Sequence, residues 1–235
     1  MNLILKSTLF FSALFVFQIG LQAQDVKRID IASFDEVYIG GSFKVEITDD
    51  NNKQIILSGD QQAIEEIEVS LRNNKLQIEK KRNSWWRSGY KGGRVGVQIP
   101  ATQLKAVYLS GSGSLSGTIN ASEDLKLVVS GSGSFDAHIE GAEHISSTIS
   151  GSGDMELSGS CERLNLQISG SGSLNANALA AKTAAIKIAG SGNARLQVSE
   201  HLSASVAGSG NVIYSGNPST VEKSVAGSGR IRASN

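Results

Sequence analysis

The tripeptide Gly-Ser-Gly recurs at 111–113, 131–133, 151–153, 170–172, 190–192, 208–210 and 227–229, so its first glycine returns after 20, 20, 19, 20, 18 and 19 residues. A fixed period of this length is the signature of stacked structural repeats. Two residues before each first glycine stand Leu109, Val129, Ile149, Ile168, Ile188, Val206 and Val225, and four residues after it stand Leu115, Phe135, Met155, Leu174, Ala194, Val212 and Ile231. These aliphatic columns argue against the competing reading of a flexible Gly/Ser linker, whose composition needs no such register.

Within one repeat the period is two. Leu125, Leu127 and Val129 alternate with Lys126 and Val128, and after the glycines Phe135, Ala137 and Ile139 alternate with Asp136 and His138. Each repeat therefore reads as strand, Gly-Ser-Gly corner, strand, looser corner. Glycine suits the corner because it alone takes positive φ at little steric cost, and two of them around a serine permit a sharp change of direction. A unit of about twenty residues cannot bury its inner face alone, but copies stacked about 4.8 Å apart can pair their backbones and pile like residues into ladders. The expected fold is all-β, a single-domain parallel β-helix, or β-solenoid, with coils of about 20 residues.

Lys+Arg and Asp+Glu both number 22, so no net charge draws the chain to nucleic acid or an anionic membrane. Cys161 stands alone, which excludes an intrachain disulfide and any multi-cysteine metal site and suits a small apolar filler in a loose corner. Residues 1–23 read as a secretory signal: Lys6, an apolar run from Leu9 to Phe17, then Leu21-Gln22-Ala23 before Gln24. That run is too short to span a bilayer comfortably, no second hydrophobic stretch follows, and no cysteine follows the cleavage site to carry a lipid. The mature chain, 24–235, is expected to reach the periplasm, the outer surface or the medium without a transmembrane segment.

Residues 33–100 are less regular. Phe34 to Ile47 repeats the strand, glycine corner, strand logic around Gly40-Gly41, and short strands follow at Ile55-Ile56-Leu57, Val69-Ser70-Leu71, Leu76-Gln77-Ile78 and Val95 to Ile99. Gln61 to Glu68 can form a helical turn or two, and the strands are expected to make the first coils of the same solenoid. The Phe34-to-Ile47 opening, the Leu76-Gln77-Ile78 strand, the Val95-to-Pro100 strand followed by Leu104, and the string of Ser-Gly-Ser-Gly corners together resemble the putative autotransporter adhesin, head GIN domain family of secreted proteins from Gram-negative bacteria. The resemblance covers roughly residues 33–217. It implies a β-helical fold and a surface or adhesion role, and brings no catalytic residues. Gly40-Gly41-Ser42-Phe43 stands in the corner where the family's eponymous tripeptide would be.

Two places could carry binding chemistry. Lys80 to Arg94 holds Arg82, Trp85, Trp86, Arg87 and Tyr90 with no acid, so its aromatics could stack on sugar rings and its arginines grip carboxylates or phosphates; a hairpin whose tryptophans fold over the solenoid is the plainer reading. The other lies five and seven residues after each first glycine: Ser116, Asp136, Glu156, Asn175 and Arg195, then Thr118, His138, Ser158, Asn177 and Gln197. Stacking would put Asp136 and Glu156 on neighbouring coils beside His138, an arrangement able to bind a ligand, hold Ca²⁺ or act as acid and base. Outward polar residues are equally what any soluble solenoid needs, and Asn175 and Arg195 continue the column without more acid.

His138, His144 and His201 lack metal-ligand spacing, and Gly-Ser-Gly-Ser imitates a nucleophile elbow only superficially, because a strand follows it. The reading is a non-enzymatic binding or adhesin-like protein of the cell envelope, without cofactor or metal, recognising a glycan or a cell-surface protein. The alternatives are a polysaccharide lyase or hydrolase on the same scaffold and a structural protein that self-associates through its ends.

Overall fold

The computed structural model describes residues 25–48, 53–81, 95–100 and 103–234; the signal segment 1–23 lies outside them. The chain is a β-solenoid of about 6 turns. Its strands are β1 (Asp25–Asp30), β2 (Glu36–Gly41), β3 (Lys44–Thr48), β4 (Gln54–Gly59), β5 (Ile67–Arg72), β6 (Lys75–Lys80), β7 (Val95–Pro100), β8 (Leu104–Gly111), β9 (Ser114–Gly131), β10 (Ser134–Glu140), β11 (His144–Gly151), β12 (Asp154–Gly170), β13 (Ser173–Gly190), β14 (Asn193–Gly208), β15 (Asn211–Ser215), β16 (Thr220–Gly227) and β17 (Arg230–Ala233). The one helix among the described residues, α1 (Gln61–Glu65), starts where the Asp60 carboxylate accepts from the backbone N–H groups of Gln62 and Ala63.

Each repeat enters its Gly-Ser-Gly corner along one wall and leaves along a second. On the entry wall β8, the second half of β9, β11, the second halves of β12, β13 and β14, and β16 pair in parallel, so that Leu109, Val129, Ile149, Ile168, Ile188, Val206 and Val225 fall into one column. On the exit wall Leu115, Phe135, Met155, Leu174, Ala194, Val212 and Ile231 do the same. Both columns are buried except at the last coil, where Val225 is 44% exposed and Ile231 half-buried. Each large aliphatic in them contributes roughly 1.5–3 kcal/mol relative to exposure.

The two glycines of a corner are required for different reasons. Gly131 has φ 108°, and a Cβ there would lie 2.5 Å from the carbonyl oxygen of Gly111 one coil below. Gly133 is not in the positive-φ region; a side chain is excluded because its Cβ would sit 2.8 Å from Gly113 O. Positive φ together with close approach of backbones thus explains the first glycine, and close approach alone the second.

Residues 25–100 depart from simple successive coils. β2 and β3 lie between two neighbours, with β8 and β9 on one side and β6 and β7 on the other, all parallel. Beyond them the pairing turns antiparallel: β5 on β6, β4 on β7, and β1 on β4. The chain closes this end by reversing direction, and β1, at the edge, carries exposed Asp25, Lys27, Arg28 and Asp30, which discourage further strand addition. At the opposite end Lys223 occupies an inward column, paired in register with Ala204, and its Nζ lies 5.0 Å from the ring centroid of Tyr214.

Candidate functional site

The regular ladder breaks where β8 meets β9. Leu104 pairs with Ala121 and Ala106 with Lys126, so Lys105 alone stands opposite Ser122, Glu123, Asp124 and Leu125. The extra residues swell the looser corner, and the next coil follows the swelling, since the Glu143 N–H donates to the Glu123 carbonyl. Bulges commonly re-aim side chains near sites. Here the bulge makes the wall of a hollow of about 450 Å³, bounded by Glu36, Tyr108 and Lys126 on the entry wall and by Glu123, Asp124 and His144 at the corner. A volume of this size lies within the range of small-ligand sites.

Aromatic and cationic groups are held together beside it. Tyr38 and Tyr108 pair in register on adjacent coils. Lys75 Nζ lies 4.3 Å from the Tyr108 ring centroid and 5.5 Å from that of Tyr38, and Lys126 approaches Tyr108 from the next coil at 5.7 Å. Glu36 lies 3.8 Å from Lys75 Nζ. Burial, and then the charge of Glu36, push the Tyr108 phenol above its ordinary value, so it stays a hydrogen-bond donor through the neutral range. Lys105 donates to Asp35 at 2.7 Å, and that hydrogen bond, reinforced by charge attraction, raises the lysine's pKa.

At the corner Glu123, Glu143 and His144 each bring one ligand atom within 4.8 Å of the others, and His144 Nδ1 is buried without a hydrogen-bond partner. Glu143 and His144 are adjacent in the chain, but Glu123 arrives only through stacking, which is why spacing alone showed no carboxylate pair beside this histidine. Oxygen and imidazole donors of this kind could hold a divalent cation or receive sugar hydroxyls.

The sequence-designated residues divide. Arg82, Trp85, Trp86, Arg87 and Tyr90 lie outside the described residues. Asp136 and Glu156 pair in register on the exit wall, in the order Ser116, Asp136, Glu156, Asn175, Arg195 across successive coils. They line a shallow hollow of about 260 Å³ with Asp154 and Asn175, and Asn175 Nδ2 donates to Glu156 at 3.1 Å. His138 stands apart from that hollow: its Nδ1 is 3.0 Å from Ser158 Oγ and its Nε2 3.8 Å from Glu140. The second column holds only through Ser158, because a bulge in β13 sets Ala178 rather than Asn177 opposite it. Cys161 fills the loose corner as expected, 7% exposed, its thiol pushed up to about 11 by burial first and Glu162 second.

The comparisons with known proteins follow the fold. The family model described as "Putative auto-transporter adhesin, head GIN domain" matches residues 33–218. The chain belongs to the head GIN domain family. Among solved structures, a putative adhesin from Bacteroides fragilis has 19% identity and a TM-score of 0.79, covering 91% of this chain and 98% of its own. A putative lipid binding protein from Parabacteroides distasonis has 22% identity and a TM-score of 0.70, covering 92% and 98%. A putative adhesin from the same species has 21% identity and a TM-score of 0.67, covering 90% and 97%. At these identities the likeness shows the β-solenoid fold. No curated protein matches significantly. The family points to an adhesin-like role at the cell surface or outside it, and among the described residues no helix is long and apolar enough to cross a membrane.

Proposed function

We propose that residues 24–235 form one secreted, non-catalytic domain that binds at the envelope of a Gram-negative cell, exported by the signal at 1–23 and holding a glycan in the hollow beside Tyr108. The observation that carries this reading is the β8–β9 register break, which gathers an aromatic ring, two lysines, carboxylates and an imidazole around a 450 Å³ opening. Such a set suits a sugar: the ring face packs against C–H groups while charged and neutral polar groups take the hydroxyls, and all of it rides on strands that need little ordering on binding. The Arg82, Trp85, Trp86, Arg87 and Tyr90 segment is proposed as a second glycan contact. The exit wall around Asp136, His138 and Glu156 is proposed as a separate surface for a protein partner.

A glycan array tests this reading. The wild-type mature chain should bind a defined set of glycans, a Tyr108→Ala variant should lose that set at least tenfold, and a Trp85→Ala, Trp86→Ala variant should weaken it. Equal profiles for wild type and Tyr108→Ala would remove the hollow as the site. Release of unsaturated, ultraviolet-absorbing sugar ends from acidic polysaccharides would overturn the non-catalytic reading.

A further inference from the structure

The charges around the hollow do not cancel where they stand. Of the groups that line it, Glu36 is matched by Lys75 at 3.8 Å and Lys105 by Asp35 at 2.7 Å. Lys126, Glu123 and Asp124 line it as well, and none of them forms an ion pair with another described residue. Leu125 is buried, so Asp124 and Lys126 share the outer face of β9, two positions and roughly 7 Å of backbone apart. Lys126 stands beside the Tyr108 ring, in register with Ala106 and Ser146, whereas Asp124 is in register with His144 at the corner. The opening thus has a cationic side and an anionic side.

The anionic side is also short of donors. Glu123, Glu143 and His144 bring their ligand atoms within 4.8 Å of one another. Two ionised carboxylates this close repel, and each can only accept hydrogen bonds. A primary ammonium supplies both a charge and three N–H donors. With its acceptors at about 2.9 Å and tetrahedral angles between them, those acceptors lie about 4.7 Å apart, a triangle of the size these three residues make. A sugar hydroxyl brings one donor and no charge. On the other side Lys126, which no carboxylate occupies, is placed to bond an anionic group.

The two sides also select by repulsion. A ligand with positive charge alone meets Lys126, and one with negative charge alone meets Glu123, Asp124 and Glu143. Resting on the reading of the hollow as a glycan site, we infer that its ligand is a dipolar glycan. Its unsubstituted amine enters the corner of Glu123, Glu143 and His144, and its acidic group, roughly 7–10 Å away along the strand, meets Lys126 beside Tyr108.

Titration calorimetry of the mature chain tests the proposal with a disaccharide of glucuronic acid and unsubstituted glucosamine, and with the same disaccharide N-acetylated, methyl-esterified at the acid, or both. The unmasked form should bind, and each single masking should weaken it at least tenfold. A Glu123→Gln, Glu143→Gln variant should bind the free-amine and N-acetylated forms alike, and Lys126→Gln the acid and the ester alike, with circular dichroism showing that both variants fold. No binding of the unmasked form, equal binding of its N-acetylated form, or a Glu123→Gln, Glu143→Gln variant that still tells the two apart would each overturn it. So would binding that a chelator abolishes, since the corner would then hold a metal ion in place of the amine. If all four forms bind equally and Tyr108→Ala loses them all, charge selection fails while the glycan reading stands. If Tyr108→Ala binds the unmasked form as wild type does, the hollow is not the site and both fail.

Discussion

At the scale of single residues, stacking leaves little room for error. A Cβ on Gly131 meets both an unfavourable φ and the Gly111 carbonyl, so Gly131→Ala should cost about 3 kcal/mol or more in denaturant unfolding, whereas Ser132→Ala at the exposed tip should stay within about 0.5 kcal/mol. Ser147 presents the opposite case. It is 2% exposed, on an inward column between Leu127 and Leu166, and its hydroxyl has no hydrogen-bond partner. Ser147→Ala removes an unsatisfied buried group at little loss of volume, and should raise stability by about 1 kcal/mol in the same measurement. Cys161 links packing to pH. Its thiol is held protonated up to about 11 in the fold against 9.0 when free, so the unfolded chain releases the proton first. The associated stability is intact below pH 9 and falls as pH rises through 11, by about 2–3 kcal/mol. Unfolding curves between pH 8 and 11 should show that slope in wild type and lose it in Cys161→Ala, and native Cys161 should resist thiol reagents at pH 8.

At the scale of elements, what could be read in advance follows from what repeats. The inward columns from Leu109 and Leu115 onward, the corners, and the pairing of Asp136 with Glu156 were legible because each depends only on residues 18–20 apart staying in register. The hollow was not, because it arises where register fails: nothing in Ser122-Glu123-Asp124 announces that Lys105 alone will stand opposite it, and Tyr38 meets Tyr108 seventy positions further along the chain. Asn177 illustrates the same limit, since one bulge in β13 removed it from a column that counting would have given it. Excising Ser122, Glu123 and Asp124 should therefore restore an even ladder, keep the unfolding midpoint near that of wild type, and abolish glycan binding on the array. The antiparallel pairings of β1 with β4, β4 with β7 and β5 with β6 escaped for a related reason: strand propensity carries no direction, and only the structure shows where the chain doubles back.

For the whole molecule, the two ends are finished differently, one by antiparallel strands and the other by Lys223 facing inward over Tyr214. A layer laid over that lysine would have to enclose an ammonium group away from water, at a cost of several kcal/mol. Lys223→Val should therefore expose an apolar end and yield high-molecular-weight species in light scattering that the wild type lacks. Between the two ends, neighbour contacts alone decide stability, as in other one-dimensional arrays. Insertion of a whole rung is consequently best tolerated in the middle, where each coil already meets a like neighbour on both sides, whereas the ammonium of Lys223 disfavours a further layer at the tip.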